Sequence, residues 1–128
     1  MDYILDTHTL LWHMFDSGKL TSKVKNVLSD NTQFNKYISM ATLWEISIKN
    51  RIGKLPLPHG VTGIFSAVES YGFSIVGINH QCVDEYNKLP LIHRDPFDGM
   101  IVATAKVGGM TIITADENMQ KYDVACVW

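Results

Sequence analysis

Asp95 and Asp98 stand three residues apart in the stretch Ile92-His-Arg-Asp-Pro-Phe-Asp-Gly-Met-Ile-Val-Ala-Thr-Ala105, at the point where a helix opened by Pro96 begins and then runs apolar. Carboxylates at the mouth of a buried helix are costly unless something pairs with them. A divalent cation is one such partner, and Asp6, Glu45 and Asp116 are further acids that a fold can bring to the same place. A carboxylate cluster without His or Cys partners suits a hard, oxygen-seeking ion, Mg²⁺ or Mn²⁺, whereas zinc prefers nitrogen or sulfur. Such an ion activates water and neutralises a phosphoryl oxygen, the chemistry of hydrolytic phosphodiester cleavage. Without it, crowded carboxylates repel one another and hold protons, so metal binding should weaken as pH falls.

Each acid also has a local reading. Asp95 before Pro96 suits a helix N-cap, and Asp98 at the third helical position profits from the helix dipole. Asp6 and Asp116 can each cap the segment that follows. Glu45, flanked by Trp44 and Ile46, has Thr42 and Lys49 as its helical neighbours and can form an ion pair with the latter. One shared pocket is more economical than five separate explanations. His93 and Arg94 read as loop residues able to touch a phosphate backbone, as do Lys49, Arg51 and Lys54 near a helix end. Thr7, Thr114 and Asn118 are turn and cap residues able to bind metal-held water. Trp12, Trp44 and Phe97 read as core.

The elements that must position these side chains alternate. Strands are expected at 2–5, 36–39, 73–76, 110–114 and 124–127. Helices are expected from Thr7 to a stop at Ser17-Gly18, from Thr21 or Ser22 to Asp30-Asn31, at 40–50, 61–71 and 79–88, and from Pro96 to Gly108-Gly109, with a helical turn at 116–122. Lys54-Leu-Pro-Leu-Pro58 is a turn-rich connector. Short apolar strands alternating with helices give an α/β fold with a parallel sheet covered on both faces. Ligands then gather at the carboxyl ends of the strands, where Asp6 and Asp116 fall.

With 128 residues, 46% of them apolar, the chain is long enough for one domain with its own core. No apolar run reaches the ~18 residues of a membrane span. The start, Met-Asp-Tyr-Ile-Leu-Asp, lacks a basic region and does not read as a signal peptide. Cys82 and Cys126 read as reduced thiols of a cytoplasmic protein. The net charge of −2 argues against a simple basic nucleic-acid binder. Of thirteen acids, however, setting aside Asp6, Glu45, Asp98 and Asp116 leaves nine against eleven Lys and Arg, so charge does not exclude RNA.

Four segments carry a family likeness: Ile4-Leu5-Asp6-Thr7-His8, Ala41-Thr42-Leu43-Trp44-Glu45-Ile46, His93-Arg94-Asp95-Pro96-Phe97-Asp98 and Ile113-Thr114-Ala115-Asp116. Together they resemble the PIN-domain ribonucleases, most closely the VapC-like toxins of type II toxin–antitoxin pairs, over nearly the whole chain. The resemblance implies a single PIN domain over 1–128, a three-layer α/β fold with a central parallel sheet flanked by helices. It further implies a Mg²⁺- or Mn²⁺-dependent endoribonuclease, held in check by a cognate antitoxin and homodimeric. By position Asp6, Glu45, Asp98 and Asp116 match the family's acidic quartet, with Asp95 an accessory acid. Gly99-Met100 departs from the subgroup, which often carries a basic residue after the second Asp; this bears on substrate preference rather than on metal ligation. The competing class is a non-catalytic PIN-like module that binds RNA or a protein through the same pocket. A haloacid-dehalogenase type phosphatase also starts from a strand-end Asp but requires a second Asp two residues on, where this chain has His8.

Overall fold

The computed structural model describes residues 1–15 and 17–128. Its centre is β1 (Asp2–Leu5), which is followed by α1 (Thr7–Phe15), α2 (Ser22–Ser29), β2 (Asn35–Ser39), α3 (Met40–Arg51), α4 (Gly60–Ser70), β3 (Ser74–Val76), α5 (His80–Lys88), α6 (Pro96–Gly108), β4 (Thr111–Ile113), a 3₁₀ turn (Met119–Lys121) and β5 (Cys126–Val127). The strands form one sheet in the order β3-β2-β1-β4-β5, with every pair parallel. Each return to the sheet needs a crossover, which the helices supply.

Strand periodicity assigns the faces. Leu5, Ile38 and Ile113 point into a core shared with Leu10 of α1, Val24 and Leu28 of α2, Leu43 and Ile46 of α3, and Ile64 and Val68 of α4. Ile4 and Ile112, one residue earlier on their strands, point the other way, onto Ile101, Val102 and Ala105 of α6 and onto Met119 and Tyr122. The outcome is the three-layer arrangement anticipated above, with α5 packed beside α6.

Local chemistry sets the ends of the helices. Thr21, Asn79 and Asp95 side chains accept backbone N–H groups at the starts of α2, α5 and α6, and Gly109 closes α6 in the left-handed conformation, φ 65°. The expected helical turn at 116–122 contracts to the three-residue 3₁₀ segment, and the last strand to two residues. Among the described residues no helix is long and apolar enough to cross a membrane. Both cysteines are free, Cys82 buried and Cys126 half-buried.

Candidate functional site

The strand order reverses at β1, which leads to β2 on one side and pairs with β4 on the other. A crevice opens at the carboxyl ends of strands on either side of such a switch. Asp6 leaves the end of β1 and Asp116 follows β4. Together with His8, Trp12 and Ala115 they line a cleft of about 240 Å³.

Asp6 is only 4% exposed. Its Oδ1 accepts the Thr9 N–H at 2.8 Å, and its Oδ2 accepts a short hydrogen bond from the Thr114 hydroxyl. Burial pushes this carboxyl above its ordinary range, and the bonds from Thr114 and Thr9 pull in the opposite direction. The Thr114 oxygen also accepts the Asp116 N–H at 3.0 Å, while Asp116 Oδ1 accepts the Asn118 N–H at 2.8 Å. One hydroxyl thus ties the two strand-end acids into a single unit.

Glu45 arrives from α3. The helical period puts Thr42, Glu45 and Lys49 on the face turned to β1, and Glu45 is 3% exposed. Its Oε1 accepts the Thr7 hydroxyl at 2.7 Å, and its Oε2 accepts Lys49 Nζ at 2.7 Å. The local ion pair and the site-facing orientation therefore coexist. Trp44, about 100° further round the same helix, is turned outward. It is 61% exposed and meets the half-buried Phe97 edge-on, ring centroids 5.4 Å apart. Trp44, the half-buried Trp12 and the half-buried Phe97 all lie outside the core, contrary to expectation.

Asp95 is the N-cap of α6: its Oδ1 accepts the N–H groups of Phe97 at 2.9 Å and Asp98 at 3.2 Å. Asp98, one turn in, has a side chain 14% exposed. Burial, followed by the negative charges of Asp95, Asp6 and Glu45, pushes its carboxyl up to about 7, with His93 opposing. Acids from three segments, the end of β1, α3 and the mouth of α6, therefore meet electrostatically at one group.

His93 was expected to be a loop residue facing phosphate. Instead it turns inward: its Nε2 lies 3.0 Å from Asp98 Oδ2 and 3.5 Å from Asp116 Oδ2. The Tyr122 hydroxyl pairs with the His93 N–H at 3.0 Å and holds this loop against the far side of the sheet. Sequence reasoning missed this contact. The available signal was a histidine five residues before Asp98 across a Pro-started helix mouth, a turn that can fold the two together.

The donor set fits a hard divalent cation. Carboxylate oxygens of Asp98 and Asp116 come within 4.8 Å of one another, and Asp6 and Glu45 act on Asp98 through their charge; a cation would relieve the burial and repulsion that raise Asp98.

The family model for the PIN domain matches residues 3–125. None of the curated proteins matches the sequence significantly. Among solved structures, VapBC2 from Rickettsia felis, bound to a DNA fragment from their promoter, superposes with a TM-score of 0.75 at 16% identity, covering 99% of this chain and 98% of that one. VapBC-1 from nontypeable Haemophilus influenzae gives 0.70 at 18%, covering 99% and 97%. FitAcB from Neisseria gonorrhoeae gives 0.64 at 20%, covering 98% and 96%. At these identities the likeness establishes the shared fold.

Proposed function

The chain belongs to the PIN domain family, and from that membership we propose that residues 1–128 act as one PIN domain, a Mg²⁺- or Mn²⁺-dependent endoribonuclease of the VapC-like toxin class. What supports this reading is that Asp98 and Asp116 both approach His93, that Thr114 links Asp116 to Asp6, and that Asp98 is pushed up to about 7 by burial and then by the charges of Asp95, Asp6 and Glu45.

Asp6, Asp98 and Glu45 would hold the cation, and Asp116 would orient water or a second ion; Asp95 acts mainly through its charge, since one of its oxygens serves the helix. When bound, the cation would activate a water and offset charge on the phosphoryl oxygens during in-line hydrolysis. The protein keeps Asp6 and Asp116 in fixed relation through Thr114 and keeps Glu45 aimed through Thr7 and Lys49. Arg94, Arg51 and Lys54 are exposed and would hold the RNA backbone without reading bases.

A solved relative is a toxin–antitoxin complex from Klebsiella pneumoniae, which supports a cognate antitoxin as a partner of this chain; a cytoplasmic homodimer as its working form is part of the same proposal. Half-exposed Phe15, with Met14, Leu57 and Ile64, lines an apolar cleft between α1 and α4 that an antitoxin segment would fit.

Incubation with total RNA in Mg²⁺ or Mn²⁺, with and without EDTA, tests the proposal. Cleavage should require the metal and vanish in a folded Asp6→Asn variant. Wild-type rates in that variant, with contaminating nuclease excluded, would overturn the assignment. RNA or partner binding without cleavage would favour the non-catalytic module.

A further inference from the structure

We propose that His93 is a metal ligand, making the centre a mixed nitrogen–oxygen site rather than an all-carboxylate one. The inference deepens the cation reading given above and rests on it.

Three atoms from two separate segments converge, two from the mouth of α6 and one from the turn after β4. His93 Nε2, a carboxylate oxygen of Asp98 and one of Asp116 all lie within 4.8 Å of one another. The imidazole therefore lies against both of the acids that would hold the cation with it. Its approach is built into the fold: the backbone N–H of His93 is held by the Tyr122 hydroxyl, Asp98 is fixed by the first turn of α6, and Asp116 is tied down by Thr114 and Asn118. Asp95 N–H faces Nδ1 only at 3.5 Å, the outer limit of a hydrogen bond, so it does not lock the tautomer. Without metal Nε2–H faces the two carboxylates; a cation at Nε2 would replace that proton, the ring hydrogen would sit on Nδ1, and only the weak Asp95 contact would be given up.

A nitrogen donor changes which ions the site prefers. Mg²⁺ favours oxygen and keeps its waters, whereas imidazole suits later first-row ions and is accepted by Mn²⁺. His93 should therefore favour Mn²⁺ over Mg²⁺ beyond what carboxylates alone provide. His8, exposed in the same cleft but outside the converging set, serves as the control.

The test is electron spin-echo envelope modulation on Mn²⁺-loaded protein, combined with Mn²⁺ and Mg²⁺ titrations by calorimetry. Wild type and His8→Gln should show modulation from a directly bound ¹⁴N. His93→Gln should lose it and bind Mn²⁺ at least about tenfold more weakly, with Mg²⁺ affinity changing less than about threefold. Should His93→Gln fold poorly, wild type grown with ¹⁵N-histidine replaces it, and the modulation should change from the ¹⁴N to the ¹⁵N pattern. Bound Mn²⁺ without nitrogen modulation in wild type, or modulation that survives in His93→Gln, overturns the proposal. Absence of any cation binding overturns it together with the cation reading. Nitrogen-coordinated Mn²⁺ in a protein that cuts no RNA upholds the ligand and removes only the nuclease.

Discussion

The Thr114 hydroxyl donates to the buried carboxylate of Asp6, joining residues 108 positions apart at the centre of the acidic cluster. Thr114 itself is fully buried, so its removal cannot be repaired by bulk water. Thr114→Val keeps the shape, deletes the donor and leaves the Asp116 N–H without its acceptor. We expect a loss of about 1–3 kcal/mol in stability. Because this bond lowers the Asp6 pKa, its loss should raise that value further and weaken Mn²⁺ binding at neutral pH. Thr114→Ser should retain most of both. Unchanged melting and unchanged Mn²⁺ affinity in Thr114→Val would show the bond to be incidental.

Asp98 gives the metal-free protein a definite pH dependence. Its folded value is about 7 against an ordinary 3.8, so the folded state binds more protons than the unfolded state between those limits. Stability from this group is then fully present below about pH 4 and is lost as pH rises through about 7. Asp6, also raised, acts in the same direction. Metal-free protein should melt lower near pH 8 than near pH 5.5, with Asp98 contributing on the order of a few kcal/mol. Asp98→Asn should remove most of that fall, and saturating Mn²⁺ at the higher pH should reverse it. Parallel melting curves for wild type and Asp98→Asn across this range would refute the coupling.

Much of this was legible before any coordinates. Caps are local, so Thr21, Asn79, Asp95-Pro96 and Gly109 announced their helix ends directly, and alternation at Ile4-Leu5 and Ile112-Ile113 announced a sheet buried on both faces. The acids could be found because strand ends and helix mouths are recognisable positions. What stayed hidden depends on distant partners. His93 faces Asp98 and Asp116 while its loop is held by a tyrosine 29 residues away. Trp44 looked like core because a single aromatic in an apolar helix gives no sign of which side the carboxylate beside it will claim.

Asp95 offers a way to separate charge from capping. Asn caps helices about as well as Asp, so Asp95→Asn should keep the cap while removing the carboxylate that does most, after burial, to raise Asp98, and should stabilise the metal-free protein near pH 8. The Asp98 titration, followed by carboxyl NMR, should move down. Asp95→Ala should shift it similarly and in addition cost about 1 kcal/mol through the lost cap. If Asp95→Asn leaves the Asp98 midpoint in place, the repulsion between the two acids is negligible.

Gly99 explains the departure from a basic residue after the second Asp of the motif. It is buried in the first turns of α6, and a Cβ there would come within 2.6 Å of the Tyr86 ring on α5. Alanine normally gains up to about 1 kcal/mol over glycine inside a helix, but overpacking costs about 1–3 kcal/mol. Gly99→Ala should therefore be neutral to destabilising in the wild-type background. Truncating the ring in Tyr86→Ala clears the space, so adding Gly99→Ala to that variant should now stabilise it. The double-mutant cycle, read by urea denaturation, should show a coupling of about 1 kcal/mol or more. Gly99→Arg should behave like alanine in needing Tyr86 removed, and only then should it add a phosphate contact that strengthens RNA binding in a salt-dependent way. Additive effects of Gly99→Ala and Tyr86→Ala would mean that the α5–α6 contact does not dictate the glycine.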